Sequence, residues 1–450
     1  MKTVIYKLTL AAAISCSLVT NKAKAQCSAV GNGTSNGVFC LRTDTANDLL
    51  YTGGIFSTSG TVTLNNSGAW NNTTFAAMGM SGAFGTSDTI LSFALYHGNL
   101  YVGGNFLYAG GTRVNHIAMY DGSMWFAVGN GFDVSVHSLA VYNDSLYAGG
   151  DFSNSGATPT KHLAKWSGTQ WNPVNGGTND DVDAMYVWNN ALYISGDFTQ
   201  AGTTNANHIC KWDDVAFTAL GSGMTSSMSG MTPMVHSICA YNGSLYAGGM
   251  FDQADGASMN NMAKWNGSTW SSIGDVGTSM GSDVVSALCV YGGQLFVGGG
   301  FATCGSLPTG NLGIWNGTNW STLGTGTNGN IHAMAVYHNA LYFGGIFINA
   351  AGTSVNNIAR YSTLAGIENV TNNIEQVSIY PNPNNGSFVI EPNSTTKQTV
   401  NVYDVNGKLV LSQTINGKTI IDASSLNEGV YNISIISNEG MVNKRLVIVR

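Results

Sequence analysis

Charge is scarce in this chain. Asp, Glu, Lys and Arg make up 9% of its 450 residues, against about 25% in an average protein. Gly, Asn, Ser and Thr take over the surface instead, a composition common in exported β-proteins. The formal net charge of −7 is modest and scattered, and there is no basic stripe. Nucleic acid is therefore not an expected partner. Beyond residue 25 no stretch reaches the ~20 apolar residues that a membrane helix needs, so no transmembrane segment is expected. Helical periodicity is missing throughout. So are a nucleophile elbow, a phosphate loop and a zinc-protease helix. No cofactor or bound metal is expected, and no catalytic residue can be named.

What is present is repetition. The stretch Leu146-Tyr147-Ala148-Gly149-Gly150-Asp151-Phe152 recurs six more times. Its tyrosine position is held by Tyr51, Tyr101, Tyr147, Tyr193, Tyr246, Phe296 and Tyr342, at intervals of 46 to 53 residues. A second aromatic follows 19 residues later in every copy, from Trp70 to Tyr361. A third lies five further on in six copies (Phe75, Trp125, Trp171, Phe217, Trp270 and Trp320). All length variation falls after that point. Each unit reads as four short strands, in the third copy 136–142, 146–152, 162–166 and 170–174. Turn signals separate them, among them Asn266-Gly267 and Asn316-Gly317. Four strands in about 48 residues is the pattern of a β-propeller blade.

Ring closure is legible too. The seventh copy has three strands and no aromatic at its fourth-strand position. At the other end of the chain, Ala29-Val30-Gly31-Asn32-Gly33 repeats Ala127-Val128-Gly129-Asn130-Gly131 of the second copy. The expectation is an all-β, seven-bladed β-propeller over residues 26–364, closed by an N-terminal strand. A solenoid would need capping repeats instead.

Residues 1–25 read as a secretory signal: Lys2 and Lys7, a short apolar core, and Ala23-Lys24-Ala25 as a cleavage site. The repeat stops after Ala365, and residues 365–374 read as a linker. Residues 375–450 then carry alternating strands with the spacing of a small Ig-like β-sandwich, with Asn406-Gly407 as a hairpin turn.

The Gly-Gly and paired-aromatic pattern of residues 26–364 resembles kelch repeats and the galactose-oxidase type of propeller. It is also similar to repeats of bacterial surface proteins and fungal cortical markers. No residue-by-residue match to the copper site of galactose oxidase is found. The tail resembles the type A C-terminal sorting domain of the type IX secretion system. The residues that carry this are Tyr380-Pro381-Asn382-Pro383, Gly386, Gly407-Lys408, Gly429, Tyr431 and Lys444. The resemblance implies export by that machinery from a Gram-negative bacterium. It also implies removal of the tail, and release or attachment at the outer cell surface.

Six cysteines remain beyond residue 25. Cys210, Cys239, Cys289 and Cys304 align with small residues of other copies and read as fillers. Cys27 and Cys40 flank the closure and form the one candidate disulfide. The repeated tryptophans read as packing between blades rather than as sugar platforms. His116, His162 and His208 alternate with Asn261, Asn311 and Asn357 and read as loop hydrogen-bonders. The 221–234 loop, with Met224, Met228, Met231 and Met234, reads as an adaptable surface or, alternatively, a copper(I) site. Asp252 and Asp255 give a faint calcium pattern that does not match an EF-hand.

One polar position remains. At the start of the inner strand the copies carry Leu91, His137, Asp183, His236, Ser286 and His332. His137, Asp183, His236 and His332 are the candidate ligand-binding residues at the channel mouth. The alternative is that each caps its own strand. The expected function is a monomeric, secreted or surface-bound binding or adhesion protein for an extracellular glycan or protein. The competing reading is an extracellular propeller enzyme acting on glycans or another small substrate.

Overall fold

The computed structural model describes residues 26–277, 283–362, 377–392, 397–404, 409–437 and 440–449. These residues hold strands and no helix. The chain divides into two compact units, Met1–Ala365 and Gly366–Arg450. The fold is all-β, and the first unit is propeller-like.

That unit contains seven four-stranded antiparallel sheets. In the third, Val136–Tyr142 is innermost, followed by Ser145–Gly150, Leu163–Trp166 and Trp171–Pro173. Side chains alternate across each strand, so both faces are buried against neighbouring sheets. The first glycine of each Gly-Gly pair makes this packing possible. A Cβ at Gly149 would lie 2.4 Å from Cγ1 of Val182 on the next inner strand. Gly53 meets Ile90 in the same way, Gly103 meets Val136, Gly248 meets Val285 and Gly298 meets Ile331. Gly344 of the seventh sheet meets Val38 of the first, so the series returns to its start. The fourth sheet has Ser195 there, and its hydroxyl donates to the Val235 carbonyl at 2.8 Å.

Aromatic side chains add a second set of links. Trp125 Nε1 donates to Met78 O of the preceding sheet at 3.1 Å, and Trp171 to Val128 O at 3.2 Å. Trp270 and Trp320 do the same to Leu220 and Ile273, each at 2.9 Å. These rings serve core packing, and each indole N–H finds a partner there. The outer edge of the seventh sheet is filled by Gln26–Ala29, which runs antiparallel to Ile358–Ser362. The seventh sheet thus takes its fourth strand from the opposite end of the described chain.

Two expectations need correction. Cys27 and Cys40 are both free. Cys27 faces Tyr361 on the outer strand of the seventh sheet, whereas Cys40 lies on the first inner strand and packs toward Ile90. The two cysteines belong to separate core clusters. The connection between the second and third strands of the repeat, read from the sequence only as a turn region, is itself a small hairpin, Asn154–Ser155 with Thr158–Pro159. Most other repeats have the same two-stranded hairpin.

The second unit has a three-stranded sheet, Ser378–Tyr380, Ser387–Glu391 and Thr419–Asp422. A four-stranded sheet orders Leu409–Asn416, Lys397–Tyr403, Gly429–Ser437 and Gly440–Ile448. Thr419–Asp422 was not foreseen from the sequence. Phe388, Ile390, Val402, Ile421, Ile433 and Leu446 share one core.

Candidate functional site

Every inner strand carries a β-bulge near its start. In the third sheet Val136 faces Gly150 and Ser138 faces Gly149, which leaves His137 as the extra residue. The same register shift isolates Phe39, Leu91, Asp183, His236, Ser286 and His332 in the other six sheets. A bulge bends its strand and re-aims the extra side chain. Every residue of the polar position found by periodicity is therefore the bulged residue of its sheet.

Three of the four candidates meet. His137 Nδ1 lies 3.1 Å from Asp183 Oδ1, and His236 Nδ1 lies 3.2 Å from Asp183 Oδ2. Asp183 thus bridges two imidazoles from the flanking sheets. His137 Nε2 also lies 2.9 Å from Asp151 Oδ1, an ion-pair contact without hydrogen-bond geometry. His332 stands apart from these pairs, edge-on to the Phe39 ring with centroids 4.9 Å apart.

Burial would raise the Asp183 pKa, but hydrogen bonds from His137 and His236 outweigh it and hold the carboxyl well below its usual range. Burial likewise opposes the His137 cation, yet the Asp183 bond and the charge of Asp151 raise its pKa. Asp197 behaves in the opposite way. Desolvation, with the charge of Asp183, pushes its pKa up to about 6. Its Oδ1 is buried without a hydrogen-bond partner. Asp181 is raised by burial and by the charge of Asp151. Burial lowers the His332 pKa.

Asp151 and Asp197 were missed in the sequence. Both directly follow the Gly-Gly pair, a column that reads Ile55, Asn105, Asp151, Asp197, Met250, Gly300 and Ile346. That column varies as much as the bulge column and carries its two acids in the repeats of His137 and Asp183. The mouth is therefore two-sided. Carboxylates and two imidazoles stand on the third to fifth sheets, while Phe39, Ile55, Leu91 and Ile346 stand on the seventh, first and second with a third imidazole, His332. Among the described residues no three His, Cys, Asp or Glu side chains are grouped to hold a metal ion.

The other candidates are structural. Asn66, His116, His162, His208, Asn261, Asn311 and Asn357 all have φ between 61° and 69°. Asn tolerates that left-handed backbone best among residues with a side chain. His162 and His208 contact the carbonyls of Gly150 and Gly196, each at 3.2 Å. Asn261, Asn311 and Asn357 donate to Val276, Thr327 and Thr34. The methionine loop divides between core and surface. Met224 is fully buried in the core and pairs with Ala254, while Met228 is exposed. Asp252 and Asp255 accept hydrogen bonds from Ser227 and Ser222.

In the second unit, Asn382 Nδ2 donates to Arg445 O at 2.7 Å and its Oδ1 accepts from Val447 N at 2.8 Å. Asn384 N donates to Val447 O at 2.9 Å, and Gly386 N to Asn384 Oδ1 at 2.8 Å. Pro381 and Pro383 flank Asn382, so the Tyr380–Pro383 motif ties the start of the unit to its final strand. Tyr380 bonds Glu391, Tyr431 OH donates to Asn427 O, and Lys444 is exposed. Gly429 opens the strand that carries Tyr431. Gly407 and Lys408 lie outside the described residues, as do the signal segment 1–25 and the linker 365–374.

Residues 378–449 match the family model of the secretion system C-terminal sorting domain. The protein is therefore secreted or attached to the outer cell surface, and its tail engages the secretion machinery. No curated protein matches the chain in sequence. Among solved structures it is similar to an extracellular domain from B. thetaiotaomicron, described as that of a one-component system. The identity is 13% and the TM-score 0.45, over 95% of this chain and 58% of that one. A second structure, described as a hybrid two-component system of the same organism, gives 13% identity and a TM-score of 0.46. It covers 95% and 59% of the two chains. The chain thus spans less than three fifths of these neighbours. An α-L-arabinofuranosidase from Clostridium thermocellum gives 13% identity and a TM-score of 0.26, over 73% of this chain and 94% of that one. No helix among the described residues is long and apolar enough to cross a membrane.

Proposed function

We propose that residues 26–364 form a seven-bladed β-propeller of kelch-like repeats, latched by the N-terminal strand, that recognises an extracellular glycan or protein at its channel mouth. The tail is an Ig-like sandwich that delivers this propeller through the type IX pathway and is then cut away. One observation carries the reading of the mouth. The scaffold repeats one bulge seven times, yet His137, Asp183 and His236 occupy consecutive bulges and form a single bonded group. Structural caps would serve their own sheets; these side chains reach across sheet boundaries. Such a group presents fixed acceptors to hydroxyl or amine groups beside an apolar arc, the mixed lining usual in ligand sites.

A glycan and surface-protein binding screen with the mature chain tests this. Saturable binding without turnover supports recognition. Absence of binding across the panel, with turnover of a glycan, overturns it in favour of the second reading, a glycan-cleaving enzyme. That reading rests on two nearby carboxyl groups with opposite shifts, Asp197 raised to about 6 and Asp183 held low. Opposed shifts of this kind separate a general acid from an ionised partner.

A further inference from the structure

At the end of the ring opposite the bulges, the last residue of each inner strand stands at the junction with the next sheet. Five repeats have a tyrosine there, and its hydroxyl donates to a carbonyl of the next sheet. Tyr96 reaches Asp144, Tyr142 reaches Asn190, Tyr241 reaches Gly293, Tyr291 reaches Asn339 and Tyr337 reaches Asp48, at 2.8 to 3.2 Å. The first and fourth repeats lack this tyrosine and have Asp44 and Trp188 instead. Cavities of about 540 Å³ and about 330 Å³ lie at those two junctions. In the first, the Asp44 carboxylate is taken up by its own turn, through Ala46 N, Asn47 N and Asn47 Nδ2. The second is different.

The junction one step earlier shows what a carboxylate does at this place. Between the third and fourth sheets, Lys165 Nζ lies 2.8 Å from Asp214 Oδ1 and 5.4 Å from the Tyr147 ring centroid. Tyr147 OH donates to the same Asp214 oxygen at 2.7 Å. Between the fourth and fifth sheets the lysine and tyrosine persist as Lys211 and Tyr193, but the place of Asp214 is held by Gly267. Lys211 makes no salt bridge and Tyr193 OH no hydrogen bond among the described residues. The nearby Asp213 carboxylate already accepts from Val215 N and Ala216 N. Trp188, Tyr193, Trp265 and Leu220 line the cleft, with Asn189 and Asn266 at its rim.

We propose that this cleft binds a carboxylate-bearing sugar, whose carboxylate takes the place that Asp214 fills at the neighbouring junction. There it accepts charge-assisted bonds from Lys211 Nζ and Tyr193 OH. The C–H face of the ring lies against Trp188 and Trp265, and the asparagines at the rim meet its hydroxyls. Aromatic walls with a few placed polar groups suit such an amphipathic ligand, and about 330 Å³ is at the small end of ligand pockets. This site is independent of the channel mouth.

Calorimetric titration of the full mature chain with methyl β-D-glucuronide tests the assignment, with methyl β-D-glucoside and benzoate as comparison probes. Saturable glucuronide binding is expected, with both comparison probes at least tenfold weaker. Lys211→Gln and Gly267→Asp are each expected to weaken it at least tenfold with little change in melting temperature. The Asp in Gly267→Asp rebuilds the internal pair; Gly267 has φ 105°, and Asp214 stands at the equivalent place with φ 76°. The proposal is overturned if glucuronide shows no saturable binding, or if benzoate or the glucoside binds equally well. It is also overturned if Lys211→Gln binds glucuronide as the parent does, a decision that stands even where Gly267→Asp fails to fold.

Discussion

The third to fifth sheets and the seventh, first and second sheets are built alike and end differently at the mouth. Both sets have the bulge, the close glycine or its Ser195 substitute, and the buried aromatics of the second and third strands. On one set the bulges carry His137, Asp183 and His236; on the other they carry His332, Phe39 and Leu91. The scaffold therefore does not dictate what stands at these positions. Residues that hold the ring together recur, and residues that could meet a ligand are those that differ from repeat to repeat, as expected for variable positions on a rigid frame.

If that division holds, damage to a recurring feature should cost far more stability than damage to a varying one. The largest loss is expected from deleting residues 26–33, which removes the outer strand paired with Ile358–Ser362. The exposed edge and uncovered core should cost several kcal/mol, a large share of a typical ~5–15 kcal/mol. Thermal denaturation would show it, and an unchanged melting temperature would take that strand out of the ring. Next comes Gly149→Val, whose side chain must enter space occupied by Val182. A loss of about 1–3 kcal/mol is expected from overpacking. Leu91→Ser, on a bulge, should change stability by less than this, and chemical denaturation of the two variants side by side would sharpen the contrast. Trp171→Phe keeps a buried ring but removes one of the two donors to Val128 O, which retains Gly131 N, for an expected loss of about 1 kcal/mol.

The smallest effect separates the two arcs by pH. His137 has a raised pKa, so its pairing with Asp183 stabilises fully at pH below its unfolded value and is lost as pH rises through the folded one. Asp183 is depressed, so its contribution is present above the unfolded carboxyl pKa and is lost only in strong acid. Asp197, raised to about 6, adds a cost that builds as pH rises from its ordinary carboxyl range to about 6 and is complete above that. Melting temperature should therefore be highest near the ordinary carboxyl pKa, about pH 4, and decline above that, first through Asp197 and then through His137. Asp197→Asn should flatten the decline, and an identical pH profile in that variant would contradict the charge balance described for the mouth.

Much of this could be read from the sequence because the repeat exposes its own constraints. The fixed 19-residue spacing located the strands, and the Ala29–Gly33 match pointed to the outer strand of the seventh sheet, which ends where that match begins, at Gln26–Ala29. The bulge column was visible because His137, Asp183, His236 and His332 align. Asp151 and Asp197 escaped because they sit inside the stretch used to define the repeat, where variation is easily taken for noise. The Cys27–Cys40 pairing failed for a spatial reason: both lie near the closure in sequence, yet one is on an outer strand and the other on an inner strand. The cleft beside Trp188 depends on Trp188, Tyr193 and Lys211 of one repeat and Gly267 of the next, which only the folded ring brings together. In the tail, Tyr380–Pro383 stood out as a motif, but its bonding to Arg445 and Val447 joins opposite ends of the unit and leaves no local pattern.

The central claim is that recognition belongs to the polar arc of the mouth. The affinity of the mature chain for the ligand identified by binding screen, compared with that of the Asp183→Asn and Asp144→Ala variants, tests it most directly. Asp144 lies in a hairpin turn at the opposite end of the third sheet, paired with His97. At least a tenfold loss in Asp183→Asn, with Asp144→Ala unchanged and both variants folded, is the predicted result. Unchanged affinity in Asp183→Asn, with a loss in Asp144→Ala, would contradict it.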